Sequence, residues 1–242
     1  MTVVLIGGGW NDTSGYRAFL EAAGSDPVVA CLVIDEGDGA EYGDRFITVL
    51  RSVAPCRPRP VLVPLGTEIR PGFLDEASAL LVCGGLTPAY ATALTPVREE
   101  IRARVADGMP YAGFSAGSAV AADTAIVGGY RIAGRVVCPE DAAEDLGEVS
   151  VVPGLGLVSY TIDVHAAQWG TLGRLQGAVS AGLADIGMAI DEDSALVLDR
   201  NVDGVGSARV VGTGAVHLVR ATGDGVTVTD LTAGNPVRVP EQ

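Results

Sequence analysis

The sequence predicts one α/β domain, a mostly parallel sheet covered by helices on both faces, followed by a short antiparallel β tail. Three observations carry this. Runs such as Val3-Val4-Leu5-Ile6 and Ala79-Leu80-Leu81-Val82-Cys83 are apolar throughout, as strands buried on both faces are. They alternate with helix-length segments, the pattern of a parallel sheet. Three of the apolar runs stop at glycine turns: Gly7-Gly8-Gly9, Gly84-Gly85 and Gly113-Phe114-Ser115-Ala116-Gly117.

Each element follows in order. A helix is predicted over Tyr16 to Ala23, a strand over Val28 to Ile34, and a second helix from Ala40 to Val53 with Phe46, Val49, Leu50 and Val53 at helical spacing. Pro55, Pro58 and Pro60 mark a loop before the strand Val61-Leu62-Val63, and helical material is expected around Pro71 to Glu76. A helix over Pro96 to Asp107 feeds the strand that carries Ser115. Strands are expected at Ala125 to Val127 and Tyr130 to Ile132, then an acidic loop from Cys138 to Asp145. The segment from Thr161 is a strand with His165 just past it, Thr171 to Ala181 a helix, and Ile186 to Leu198 two strands around an acidic turn. From Val205 onward, β-rich runs alternate with Gly and Asp turns, a tail packed beside the main sheet. The chain reads as a core over residues 1–200 with a β-rich extension over 201–242.

Composition excludes several functions. A chain of 242 residues fits one hydrophobic core. A formal charge of −14 argues against a nucleic-acid surface, which needs a basic face. The acidity favours solubility and is compatible with cationic peptides. Cys31, Cys56, Cys83 and Cys138 form no C-x-x-C pair, and with two His in the chain neither a metal site nor a cofactor is expected. No apolar stretch is long enough to span a membrane, and the N-terminal run is strand-like without a basic leader, so the expectation is a cytoplasmic protein with no membrane partner. The first glycine turn, Gly7-Gly8-Gly9-Trp10, lacks the spacing of a dinucleotide fingerprint and reads instead as a loop leaving room beside a site.

The chemistry centres on Gly113-x-Ser115-x-Gly117, the pattern of a nucleophile elbow, in which a strand turns sharply into a helix and exposes the Ser hydroxyl. A Ser needs a base, and the base needs an acid to orient it. His165, just past a predicted strand, is the candidate base, whereas His217 reads as structural. The acid is sought in Glu140, Asp141, Glu144 or Asp145, with Glu140 placed first and Glu144 second, which gives the order Ser, acid, His. Oxyanion donors are expected from the N–H of Ala116 and from Gly85 or Leu86, whose turn ends a strand at the ligand-binding edge of such sheets.

These pieces together resemble the dipeptidase E and cyanophycinase family of serine peptidases. The resemblance runs in the family's order over residues 3–198, through Gly84-Gly85-x-Thr87, Gly113-x-Ser115-Ala116-Gly117, Gly154-Leu155-Gly156-Leu157, Asp163-x-His165, Gly173-Arg174-Leu175 and Ile190-Asp191-Glu192-Asp193-x-Ala195. It implies a class I glutamine amidotransferase-like fold, a flavodoxin-like three-layer sandwich. It also implies a Ser–His–acid peptidase acting on small or isopeptide-type peptides without metal or cofactor. Ser115 and His165 would be catalytic, a position on the Gly85 turn an oxyanion donor, and Thr87, Asp163 and Arg174 substrate-binding. Dimers are usual in the family, so a homodimer is an open expectation. Val164 and Ala166 stand where cyanophycinases carry Gln and an aromatic, and Gln168-Trp169-Gly170-Thr171-Leu172 replaces an Arg-rich stretch. An Asp-specific dipeptidase would present a cation to its substrate, for which Arg131, Arg135 and Arg174 are the candidates. The competing reading is a non-catalytic glutamine amidotransferase-like module that binds a ligand or regulates.

Overall fold

The structure is a computed structural model that describes residues 1–200 and 206–235. Along the chain run β1 (Thr2–Ile6), α1 (Ser14–Ala23), β2 (Val28–Asp35), α2 (Gly39–Val53), β3 (Arg57–Pro64), β4 (Ala79–Val82), α3 (Thr87–Leu94), α4 (Arg98–Ala106), β5 (Tyr111–Phe114) and α5 (Ala116–Ala119). Then come β6 (Thr124–Gly128), β7 (Arg131–Ile132), β8 (Arg135–Val136), β9 (Ser150–Pro153), β10 (Thr161–Val164), α6 (Leu172–Ser180), β11 (Ile186–Ile190), β12 (Ser194–Arg200), β13 (Gly206–Gly212), β14 (Ala215–Thr222) and β15 (Gly225–Thr232).

The main sheet has the order β13-β12-β1-β5-β4-β2-β3. Its five strands from β1 to β3 are parallel, and β12 and β13 add antiparallel at one side. This is the α/β class with a mostly parallel sheet that the sequence predicts. Because side chains alternate across a strand, the unbroken apolar runs feed two cores at once. Val3 and Leu5 of β1 join one with Tyr90 and Leu94 of α3 and Ile101 and Val105 of α4. Val4 and Ile6 join the other with Tyr16 and Phe19 of α1 and Phe46 and Leu50 of α2.

A second sheet, β10-β11-β14-β15, lies on the α3–α4 side: Ile162, Met188 and Val216 belong to the same core as β1 and α3. Its other face packs Ala189 and Val219 on Leu175 and Val179 of α6. The tail expected beside the main sheet is thus divided. β13 completes the main sheet, whereas β14 and β15 extend a sheet begun by β10 and β11. The expected extension over 201–242 falls partly outside the described residues, at 201–205 and 236–242.

Two local readings are corrected. The proline-marked loop before Val61 is strand: β3 begins at Arg57 and includes Pro58 and Pro60. It lies at the end of the strand order, where proline is tolerated because an edge strand need not donate on its open side. The segment from Pro71 to Glu76 is a set of turns, in which Gly72 (φ 85°) and Glu76 (φ 66°) have left-handed backbone that a helix excludes.

Candidate active site

Ser115 sits between β5 and the four-residue α5 with φ 51° and ψ −113°, a strained conformation for a residue with a side chain. Packing around it explains both flanking glycines. A Cβ on Gly113 would fall 2.4 Å from the backbone of Gly117, and one on Gly117 would fall 2.1 Å from the carbonyl oxygen of Val82. The turn is fixed by the N–H of Ser115 donating to Ile6 O (3.0 Å) and by Ser118 Oγ donating to Ile6 O and Gly113 O (both 2.8 Å).

His165 follows β10, buried to 7% exposure and itself at φ 56°. Its Nε2 lies 2.7 Å from Ser115 Oγ and its Nδ1 lies 2.7 Å from Glu192 Oε1. A carboxylate only accepts, so Nδ1 carries the proton and Nε2 offers its lone pair to the Ser hydroxyl. Burial pushes the imidazole below its ordinary value, opposed by the hydrogen bond and charge of Glu192. Trp169 stacks on the ring, with centroids 3.9 Å apart at 9°. Gly8 passes so close that a Cβ there would fall 2.2 Å from His165 Cε1, which agrees with the reading of the first glycine turn as room beside a site.

Glu192 is held by its neighbours. Asp193 accepts from the backbone N–H and the side-chain amide of Asn11 (both 2.8 Å). Asp191 accepts from the N–H of Ala167 (3.0 Å) and of Ala215 (2.9 Å), and pairs with His217 Nε2 (3.1 Å). The two aspartates fasten the turn between β11 and β12, and Glu192 between them is left to face His165.

Ser115, His165 and Glu192 open onto a cavity of about 980 Å³ that also has Trp10, Glu36, Tyr42, Gly85, Leu86, Phe114, Tyr130, Trp169 and the acidic loop 140–147 in its walls. Backbone N–H groups of Gly85 and Ala116 meet no protein acceptor among the described residues. A Ser with an oriented imidazole and two uncommitted N–H donors beside it has the parts for acyl transfer.

No family model matches the chain. Over 152 residues it is 36% identical to the cyanophycinases of Trichormus variabilis and of a Nostoc species, a match covering 62% of this chain and 45% of either protein. The chain therefore spans less than half the length of these two relatives. With the cyanophycinase of Geminocystis herdmanii it shares 26% identity over 231 residues, which is 90% of this chain and 80% of that one. The chain is thus similar in sequence to cyanophycinases. The fold agrees with the crystal structure of a protein provisionally named peptidase E from Listeria monocytogenes, at a TM-score of 0.54 and 15% identity over 96% of this chain and 98% of that one.

Several site expectations change. Glu140 does not meet His165, whose Nδ1 is taken by Glu192; it is exposed at the cavity wall. Glu192 stands in its place, so the order along the chain is Ser, His, acid. Asp141, Glu144 and Asp145 also line the cavity, without a bond to His165. The N–H of Leu86, expected as an oxyanion donor, is taken by Glu36 Oε1 at 2.8 Å. Thr87 is buried and bonded to Glu144, through Oγ1 to Oε1 at 2.9 Å and N–H to Oε2 at 3.2 Å.

Asp163 and Arg174, expected to bind substrate, are buried and bind each other. The guanidinium spans both carboxylate oxygens, at 2.8 Å from Nε and 2.7 Å from Nη2. Its Nη1 donates to Ala142 O at 2.5 Å, which ties the acidic loop to β10 and α6. Arg131 stacks on Tyr130 and Arg135 is exposed on β8; no Arg among the described residues lines the cavity, and the chain has no Lys.

Breaking one side of a buried ion pair leaves the other charge uncompensated, at about 3–5 kcal/mol. Arg174→Met is expected to cost that much in urea denaturation. A loss under about 1 kcal/mol would show that the pair does not hold the acidic loop.

Proposed function

We propose that this chain is a serine peptidase of the dipeptidase E and cyanophycinase type, hydrolysing small or isopeptide-type peptides through Ser115, His165 and Glu192. The observation that carries the reading is the relay of two 2.7 Å contacts from Ser115 Oγ through His165 to Glu192. As Oγ attacks the scissile carbonyl, His165 Nε2 takes its proton, and the imidazolium is stabilised by Glu192. The N–H groups of Gly85 and Ala116 receive the developing oxyanion. His165 then gives the proton to the leaving amine, and a water attacks the acyl-enzyme by the same route. Free thiols at Cys31, Cys56, Cys83 and Cys138 support a cytoplasmic, reducing setting. Among the described residues, no helix is long and apolar enough to cross a membrane.

Among the described residues, the cavity walls bear Glu36, Glu140, Asp141, Glu144, Asp145 and Glu192, together with His165 and no Arg. Such a site attracts a cationic peptide and repels an anionic one. A preference for an N-terminal Asp side chain finds no Arg among the described residues that line the cavity, although Arg45 lies on the Trp10 ring.

Three outcomes test this reading. A fluorophosphonate should add once to the wild type and not to Ser115→Ala, read by intact mass; a wild type that stays unlabelled while folded would favour the non-catalytic module. Hydrolysis should rise with pH along a limb below the ordinary histidine value of about 6.5, because burial lowers the His165 pKa. Glu192→Gln removes a contribution that raises that pKa, so its limb should move to still lower pH while the rate falls by about 10²–10⁴. In matched peptides differing only in one side chain, Arg or Lys should exceed Asp or Glu by about tenfold or more in kcat/KM, with the ratio shrinking as salt is added. An Asp preference would refute the charge argument.

A further inference from the structure

The turn Gly85-Leu86-Thr87 joins β4 to α3, and its three successive N–H groups have different fates. The N–H of Leu86 donates to Glu36 Oε1 at 2.8 Å. Thr87 donates to Glu144 from both its N–H, at 3.2 Å, and its hydroxyl, at 2.9 Å. Gly85 alone keeps its N–H uncommitted among the described residues. Leu86 is the cap residue of α3 and Thr87 its first helical position, and no side-chain cap bond satisfies their N–H groups. Two carboxylates from elsewhere do so instead. Glu36 follows β2, and Glu144 belongs to the acidic loop, where it has left-handed backbone (φ 55°).

The two differ in setting. Glu144 is half-buried and Glu36 exposed. Gly85 has φ 136°, and a Cβ there would fall 2.5 Å from Glu36 Oε1. Only glycine lets this carboxylate sit against the turn. A negative group at a helix start is favourable, yet two of them beside an oxyanion site would oppose catalysis by charge alone. Their use must lie in geometry. With the Leu86 and Thr87 N–H groups taken by the carboxylates, Gly85, which lines the cavity, holds the one uncommitted donor of the turn among the described residues.

Resting on the serine peptidase reading, we propose that Glu36 and Glu144 are positioning residues that clamp this turn and so select Gly85, rather than Leu86, as the oxyanion donor partnering Ala116. Neither touches the reacting atoms. Glu36 acts as a hydrogen-bond acceptor, and its charge is incidental to that task.

The test is the rate of fluorophosphonate addition to Ser115, separated into a binding constant and a maximal rate, in the full chain. Loss of an oxyanion donor lowers rates by ~10²–10³, so loss of its alignment in Glu36→Ala or Glu144→Ala should lower the maximal rate about 10-fold or more at little changed binding. Glu36→Gln keeps an acceptor oxygen and should stay within about twofold of wild type. Thermal melting checks that each variant is folded, which exposed Glu36 makes straightforward. If Glu36→Gln falls as far as Glu36→Ala, the charge matters and the clamp is wrong. A Glu36→Ala variant labelling at the wild-type rate overturns the clamp while leaving the peptidase reading intact. An unlabelled wild type overturns both.

Discussion

Three consecutive carbonyls at the end of β1 hold the whole site together. Ile6 O accepts from the N–H of Ser115, Gly7 O from that of His165, and Gly8 O from that of Asp193, at 3.0, 3.0 and 2.9 Å. Ser115, His165 and the turn bearing Glu192 come from the ends of β5 and β10 and the β11–β12 connection, and each is anchored to one residue of the same short stretch. This requires backbone to approach backbone without side chains between. A Cβ on Gly7 would fall 2.2 Å from Asp191 O, and one on Gly8 would strike the His165 ring. The glycines after β1 are thus the condition on which the two sheets can share one site.

Around that hub, buried polar groups are paired across elements. Asp163 and Arg174 join β10 to α6 and, through Ala142 O, to the acidic loop. Buried ions are costly unless every donor and acceptor is used, and this guanidinium uses Nε, Nη1 and Nη2. The loop it restrains contributes Glu144 to α3 and four carboxylates to the cavity wall. Residues that a family resemblance would assign to substrate thus build the wall that substrate would meet.

What was legible in the sequence follows locality. Ser115 announces itself through a strand, a tight turn and flanking glycines, all within a few residues, and His165 through its place at the end of an apolar run. Glu192 depended on register. β10 and β11 pair in parallel with Val164 opposite Ile190, so the residues just past both strand ends become neighbours. The signal was present as a strand, helix, strand unit from Thr161 to Ile190, whose two strands are expected to lie side by side; the acidic loop nearer in sequence drew the assignment away. The contacts of Leu86 with Glu36 and of Thr87 with Glu144 bridge 50 and 57 residues. No periodicity or turn rule reports them. The same holds for β14, which reads as a tail strand by pattern and joins β11 by tertiary pairing.

The charge of the chain sets a problem that the site resolves. A histidine among carboxylates is driven toward its charged form, which cannot act as a base. Here Glu192 is in contact with the ring and the other cavity carboxylates stand nearby. Opposing them, burial is the larger influence on His165 and lowers its pKa. That burial has identifiable sources: Trp169 covers one face of the ring, and Gly8 closes on the edge at Cε1. Trp169 is itself half exposed, so it spends apolar surface at the cavity mouth to keep water from the imidazole. An acidic cavity and a histidine with a lowered pKa are conflicting demands on electrostatics alone. They become compatible when the ring is enclosed by an indole and a glycine rather than by further charge.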